Sequence, residues 1–172
     1  KAVGPAGKVF SFEPNTDMFS VLAKNIELNN YGGRVFAKPV GIGEEAGTKR
    51  FKAAQGEFGL GHIVSGDGAD ESKDDEIRDI VVEPLDKLFA DSIGKIAYVK
   101  IDVEGFEPFV ISGGQKLFNA EDRPIVQVEF NSDALKRQPA EKVKSFMAFL
   151  NQPETEKFAG QSGALVRLDE IR

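Results

Sequence analysis

Acidic residues follow two apolar runs of the kind that forms buried strands. Glu13 ends the run VFSFE, while Asp102 and Glu104 follow IAYVKI, and Gly105 would let a ligand approach the backbone closely. In open α/β folds, ligands bind outside the carboxyl ends of the strands, where a carboxylate can accept hydrogen bonds from ribose hydroxyls or take up a proton. The alternative is that each carboxylate caps the helix that follows it. Two such units predict a nucleotide-type ligand spread across neighbouring strand ends.

The chain contains one histidine and no cysteine. His62, in the segment GLGHIV, is able to act as a general base near neutral pH, although a lone surface histidine is more often incidental. Metal ligands would therefore be mainly oxygen atoms, which suit magnesium or calcium better than zinc. Since no pattern singles out such a site, we predict none.

The elements that must position these residues alternate between strand and helix. Met18, Leu22 and Ile26 recur every four positions, which is the spacing of one helical face. The alternation predicts an α/β fold in a single domain over residues 1–172, with a mainly parallel sheet covered by helices on both faces. The predicted strands are 9–13, 34–40, 48–53, 80–83, 96–102 and 124–130, and the predicted helices are 17–29, 85–89, 108–118 and 140–150.

The middle of the chain departs from this alternation. A turn is expected at 41–43, and 48–53 is expected to be an edge strand. Residues 55–76 are rich in glycine and acid and cannot bury enough apolar surface to fold alone, so we expect a solvated surface loop. The alternative is a mobile lid over the site. The tail, 163–171, is expected to supply a last strand.

Composition narrows the classes of partner. The net charge of −6 disfavours nucleic acid, since phosphate binding needs basic patches. No run approaches the roughly 18 apolar residues of a membrane-spanning helix. The absence of cysteine is consistent with a reducing compartment, so we expect a cytoplasmic protein. The oligomeric state is left open.

Five segments in order along the chain carry a family resemblance. They are GKVFSFEPN, KNIELNN, VEPLDKL at 82–88, YVKIDVEGFE and RPIVQVEF. Together they resemble the FkbM-type methyltransferases, over about residues 7–131. FEPN followed at a distance by KIDVEGFE is the most specific part. The resemblance implies an S-adenosylmethionine-dependent enzyme with the Rossmann-like class I methyltransferase fold.

The resemblance also implies roles for particular residues. Glu13 would hold the ribose hydroxyls of the cofactor, with Asn15 close by. The turn at Val40 and Gly41 would lie against the adenine, and Asp102 would face the methionine portion.

By the same resemblance, Glu104 would lie at the reaction centre. The acceptor would be a hydroxyl group of a sugar, another glycan or a small natural product. One base must take up the hydroxyl proton, and the candidates are Asp102, Glu104 and His62, in that order.

One family element is not found in the sequence. The pattern D-x-G-A-N-x-G, a glycine-rich loop after a first strand, does not occur. That strand would lie centrally, between the strands at 9–13 and 96–102, so we expect an N-terminally incomplete domain. Two alternatives remain open. One is a nicotinamide-dependent dehydrogenase, which the lack of G-x-G-x-x-G disfavours. The other is a degenerate Rossmann-like module that serves as a non-catalytic interaction domain.

Overall fold

A βαβ unit opens the described part of the chain. The computed structural model describes residues 3–53, 61–64, 76–152, 158–161 and 164–167. Strand β1 (Val9–Phe12) leads through helix α1 (Thr16–Leu28) to β2 (Val35–Lys38), and the two strands pair in parallel. The side chain of Asn15 accepts hydrogen bonds from the backbone N–H groups of Asp17 and Met18, which satisfies the start of α1. This unit matches the prediction closely.

A mixed four-stranded sheet follows the βαβ unit, in the order β3-β6-β4-β5. Strands β3 (Gly41–Ile42) and β6 (Glu76–Glu83) pair in parallel. Strand β4 (Gly47–Ala53) pairs antiparallel with β6 on one side and with β5 (Gly61–Ile63) on the other.

Three local predictions fail in this sheet. The expected turn at 41–43 contains strand β3, and the expected edge strand at 48–53 has neighbours on both sides. The expected loop at 55–76 contains β5, because Ile63 is buried against the sheet. The rest of that loop lies outside the described residues, apart from Val64 and Glu76, the first residue of β6.

A second parallel pair joins β7 (Tyr98–Ile101) to β8 (Ile125–Val128). The connection was predicted as one helix at 108–118, but it is two, α3 (Glu107–Ser112) and α4 (Gln115–Phe118). The helix breaks at Gly113 because the backbone there meets another segment. A Cβ atom at Gly113 would lie 1.9 Å from the carbonyl oxygen of Gly43, so only glycine fits.

The remaining helices pack around these strands. The side chain of Asp86 accepts hydrogen bonds from the N–H groups of Lys116 and Leu117, so it caps α4 from another segment. Near the C-terminus, a strand at Ala164–Arg167 lies within the expected last strand, and it pairs antiparallel with a strand at Phe158–Gln161 that was not predicted. Residues 162–163 and 168–172 lie outside the described residues. The additional elements are α2 (Leu85–Leu88), a 3₁₀ turn (Ala90–Ser92), α5 (Ser132–Leu135), α6 (Ala140–Leu150), β9 (Phe158–Gln161) and β10 (Ala164–Arg167).

Two apolar clusters form the core, and Val103 packs against both of them. The larger cluster includes Ile101 of β7, Phe118 of α4 and Phe146 of α6, and the smaller centres on Val82. Since Val103 directly follows Asp102, packing of both clusters holds the end of β7 in place.

The predicted single, mainly parallel sheet is not what the described residues form. They contain two separate parallel pairs, a mixed sheet and an antiparallel pair. The pairs β1-β2 and β7-β8 each join strands that a helical crossover separates, as parallel pairing requires. The other sheet is mixed because β3 pairs in parallel with β6, whereas β4 pairs antiparallel with both β6 and β5. Within the same residues, no helix is both long and apolar enough to span a membrane.

Candidate functional site

A cavity of about 290 Å³ lies at the carboxyl ends of β1 and β7. Residues after β1 form one wall, the turn after β7 forms another, and the β4-β5 hairpin with β3 closes the remaining side. This volume is close to the lower limit of roughly 300 Å³ for a small-molecule site. The described lining residues are Phe12, Glu13, Pro14, Asn15, Met18, Gly41, Ile42, Phe51, Gly61, His62, Ile63, Asp102, Val103, Glu104 and Phe106.

Glu13 lies where β1 gives way to α1. Pro14 cannot continue the strand ladder, and Asn15 starts the helix, so the chain turns here and directs Glu13 to the cavity. Glu13 Oε1 accepts a hydrogen bond from the Asn15 backbone N–H at 2.8 Å. Partial burial raises the pKa of Glu13 above its ordinary value, and this hydrogen bond opposes the rise. The carboxylate is thus oriented but incompletely compensated.

Gly41 and Ile42 of β3 line the cavity beside Glu13. A Cβ at Gly41 would lie 3.2 Å from Ile80 Cδ1 and 3.5 Å from Ile63 Cδ1, so the backbone packs closely on the smaller apolar cluster. This wall of the cavity is apolar. Val40, also predicted for the cofactor, is not among the described lining residues.

The turn after β7 is held in an unusual backbone conformation. Glu104 has φ +53° and Gly105 has φ +97°. A left-handed glutamate costs of order 1–3 kcal/mol and persists only where its surroundings enforce it. The enforcing group is Glu107, which is buried and whose Oε1 accepts hydrogen bonds from the N–H groups of Val103 and Gly105, both at 3.2 Å. The strained turn brings Glu104 to the cavity.

Three carboxylates crowd together at the ends of β7 and β8. Oxygen atoms of Asp102, Glu104 and Glu129 all lie within 4.8 Å of one another. Lys100 Nζ lies 2.6 Å from Asp102 Oδ2, and this ion pair lowers the pKa of Asp102. A hydrogen bond to Asp102 raises the pKa of Glu129, and partial burial adds to the rise. Asp102 is therefore the more acidic member of the pair.

The same three carboxylates offer the kind of oxygen ligands that a magnesium or calcium ion prefers. The prediction of no metal site remains untested, since exposed acidic groups often lie close together without an ion. Glu129 joins the group because it follows β8, which pairs with β7. Lys100 already supplies one positive charge to the group.

His62 reaches the cavity from β5, where it lies opposite Lys52 in the ladder with β4. Its neighbours Phe51 and Ile63 are buried in the smaller apolar cluster. His62 is therefore the polar group on an otherwise apolar wall, facing the same cavity as Asp102 and Glu104.

The described lining of the cavity carries negative charge. Glu13, Asp102 and Glu104 are acidic, and none of the lining residues that the structure describes is lysine or arginine. Such a cavity attracts a positively charged ligand and repels phosphate groups.

Six of the seven residues predicted for the site come together in this cavity, and Val40 alone does not line it. Their roles remain predictions. Sequence reasoning missed Glu129, although a signal for it existed. The segment PIVQVEF is an apolar strand followed directly by an acid, the same pattern that indicated Glu13 and Asp102.

A ligand-sized cavity at the ends of parallel strands places the chain in the broad class of α/β proteins with strand-end sites. Within that class, the model of the methyltransferase FkbM domain matches residues 1–157. The chain belongs to this family and is a methyltransferase, as the sequence resemblance indicated. Neither the curated proteins nor the solved structures that were compared include a match.

Proposed function

We propose that this methyltransferase uses S-adenosylmethionine to methylate a hydroxyl group of a sugar or small natural product. The observation that carries the proposal is the acidic cavity at the strand ends, with Glu13 on one side and Asp102 and Glu104 on the other. S-adenosylmethionine carries a sulfonium, an ammonium and a carboxylate group, so it is a net cation, which suits this lining. A nicotinamide cofactor carries a pyrophosphate, which the same carboxylates would repel.

Glu13 is the proposed ligand of the ribose hydroxyls. Its Oε1 is oriented by the Asn15 N–H, while Oε2 has no hydrogen bond within the described residues and is left for the ligand. The adenine would lie on the apolar wall at Gly41 and Ile42. Since Asn15 uses its side-chain oxygen to cap α1, its proposed contribution is to hold Glu13 in place.

Bound S-adenosylmethionine supplies an electrophilic methyl group. The acceptor oxygen must align with that group and lose its proton, so the protein needs a positioned base. Asp102 was the first candidate, but its ion pair with Lys100 makes it a weak base. Glu104, which has no ion-pair partner among the described residues, suits the role better, and His62, which lines the same cavity, would orient the acceptor.

Isothermal titration tests the cofactor. We expect S-adenosylmethionine to bind and NAD to give no detectable heat. Methyl transfer would then be followed by mass spectrometry with a panel of methyl glycosides and small polyhydroxylated compounds. Binding of NAD without any response to S-adenosylmethionine would reject the proposal.

A further inference from the structure

We propose that the cavity selects its ligand by charge and binds S-adenosylmethionine more tightly than S-adenosylhomocysteine. Methyl transfer therefore lowers the affinity for the ligand and favours release of the product. This inference rests on the proposed function and extends it to product release. It follows from the charges that line the cavity and from the size of the cavity.

The cavity is small enough for its carboxylates to act on any charge inside it. A volume of about 290 Å³ corresponds to a sphere of roughly 4 Å radius, so a ligand charge lies within roughly 10 Å of each lining carboxylate. That distance is comparable to the screening length of about 8 Å at physiological ionic strength. The carboxylates therefore act on a bound charge without needing a direct contact.

Glu104 contributes the least compensated of these charges. Asp102 is paired with Lys100, whereas Glu104 has no hydrogen bond or ion pair within the described residues. Glu129 lies within 4.8 Å of Glu104 and adds negative charge rather than balancing it. The strained backbone at Glu104 keeps this unbalanced carboxylate at the cavity.

The reaction changes the charge of the ligand by one. The acceptor oxygen forms a bond to the methyl carbon, the carbon–sulfur bond breaks, and its electron pair stays on sulfur. The sulfonium becomes a neutral thioether, and the acceptor proton passes to the base and then to water. The product has lost the positive charge that the cavity attracts, while every other group of the ligand is unchanged.

Isothermal titration with both ligands tests the inference. For the wild type we expect S-adenosylmethionine to bind about tenfold more tightly, which corresponds to ~1.4 kcal/mol. Raising the salt concentration from 0.05 to 0.5 M should narrow this ratio, because screening weakens only the charge-dependent part.

Substitutions at Glu104 identify the source of the selectivity. Glu104→Gln should weaken binding of S-adenosylmethionine several-fold and leave S-adenosylhomocysteine within about twofold. Glu104→Asp keeps the charge in a residue that tolerates positive φ, so it should retain the preference. Glu121→Gln removes an exposed carboxylate before β8, at the opposite end of that strand, and should change neither affinity. Circular dichroism would check that each variant folds.

Two results would overturn the inference. One is a wild type that binds the product as tightly as the substrate form. The other is an equal loss of both ligands in Glu104→Gln and in Glu104→Asp, which would make Glu104 a structural residue. If the proposed function itself fails, the wild type binds neither adenosyl compound, a different outcome from equal binding of both.

Discussion

Glu13 accepts a hydrogen bond from the backbone N–H of Asn15 at 2.8 Å, and the Asn15 side chain in turn caps α1. These hydrogen bonds join the end of β1, the Glu13 carboxylate and the start of α1 within three residues. Partial burial nevertheless leaves the pKa of Glu13 raised, because the hydrogen bond does not replace all the lost hydration. A carboxylate held at such a cost is expected to have a ligand.

Glu13→Gln should weaken S-adenosylmethionine binding about 10- to 150-fold. Hydrogen bonds to a charged group contribute roughly 1.5–3 kcal/mol, and the amide keeps the shape of the side chain without its charge. Isothermal titration measures the loss, with Glu121→Gln as the matched control. Affinity equal to that of the wild type would show that Glu13 does not hold the ribose.

In the protein without ligand, the ionised Glu13 side chain should lower the stability of the fold, although it favours ligand binding. A raised pKa in the folded state means that folding favours the protonated form, so the stability contributed by Glu13 is present in acid and is lost as the pH rises through the raised pKa. The free energy of unfolding of the wild type, relative to Glu13→Gln, should therefore fall as the pH increases above 4.5, the ordinary glutamate value. Chemical denaturation of both proteins between pH 4 and 7 (chosen to bracket the transition) tests this. A wild type that becomes more stable relative to Glu13→Gln as the pH rises would contradict it.

The left-handed backbone at Glu104 predicts an unusual stability order. Glu104→Gly removes the strain at φ +53°, while Glu104→Ala keeps it, so the glycine variant should be more stable by about 1 kcal/mol. For a chain of this size, that difference corresponds to roughly 2–4 °C in Tm. Thermal unfolding of the two variants compares them directly. An alanine variant as stable as the glycine variant would remove the evidence for strain.

Gly105 has both a positive φ and no room for a side chain. A Cβ there would lie 2.7 Å from Ala134 Cβ, so Gly105→Ala combines backbone strain with overpacking, which alone costs about 1–3 kcal/mol. Gly47→Ala is the control, since its Cβ would meet nothing within 4 Å. Denaturant titration should show a large loss for the first and a change within about 0.5 kcal/mol for the second. Equal losses would mean that the crowding at Ala134 has no energetic effect.

Asp86 should stabilise α4 although it lies 30 residues away in the sequence. Gly114, the residue before this helix, has no side chain to cap it, and Asp86 takes that role for two N–H groups. Asp86→Ala should therefore cost about 0.5–2 kcal/mol, with Asp86→Asn retaining part of the effect. Asp122→Ala, at an exposed turn, serves as the control in the same denaturation experiment. A loss no larger than that of the control would show that the cap is dispensable.

Local signals in the sequence were sufficient for the elements that form from near neighbours. The apolar spacing of Met18, Leu22 and Ile26 predicted α1 to within a residue or two. The apolar runs before Glu13 and Asp102 predicted β1 and β7 and the carboxylates at their ends. Five segments in order along the chain indicated the family, and the family model matches residues 1–157.

Other features of the fold and the site depend on contacts between segments that are distant in the sequence. The break at Gly113 is caused by the Gly43 backbone, and the strand at β5 forms because Ile63 finds the smaller apolar cluster. The grouping of Glu129 with Asp102 and Glu104 likewise requires β8 to pair with β7. The sequence by itself determined which side chains end strands, because strand termination is a local property. Only the tertiary structure decided which of those ends share one cavity, because strand pairing and packing act across the whole chain.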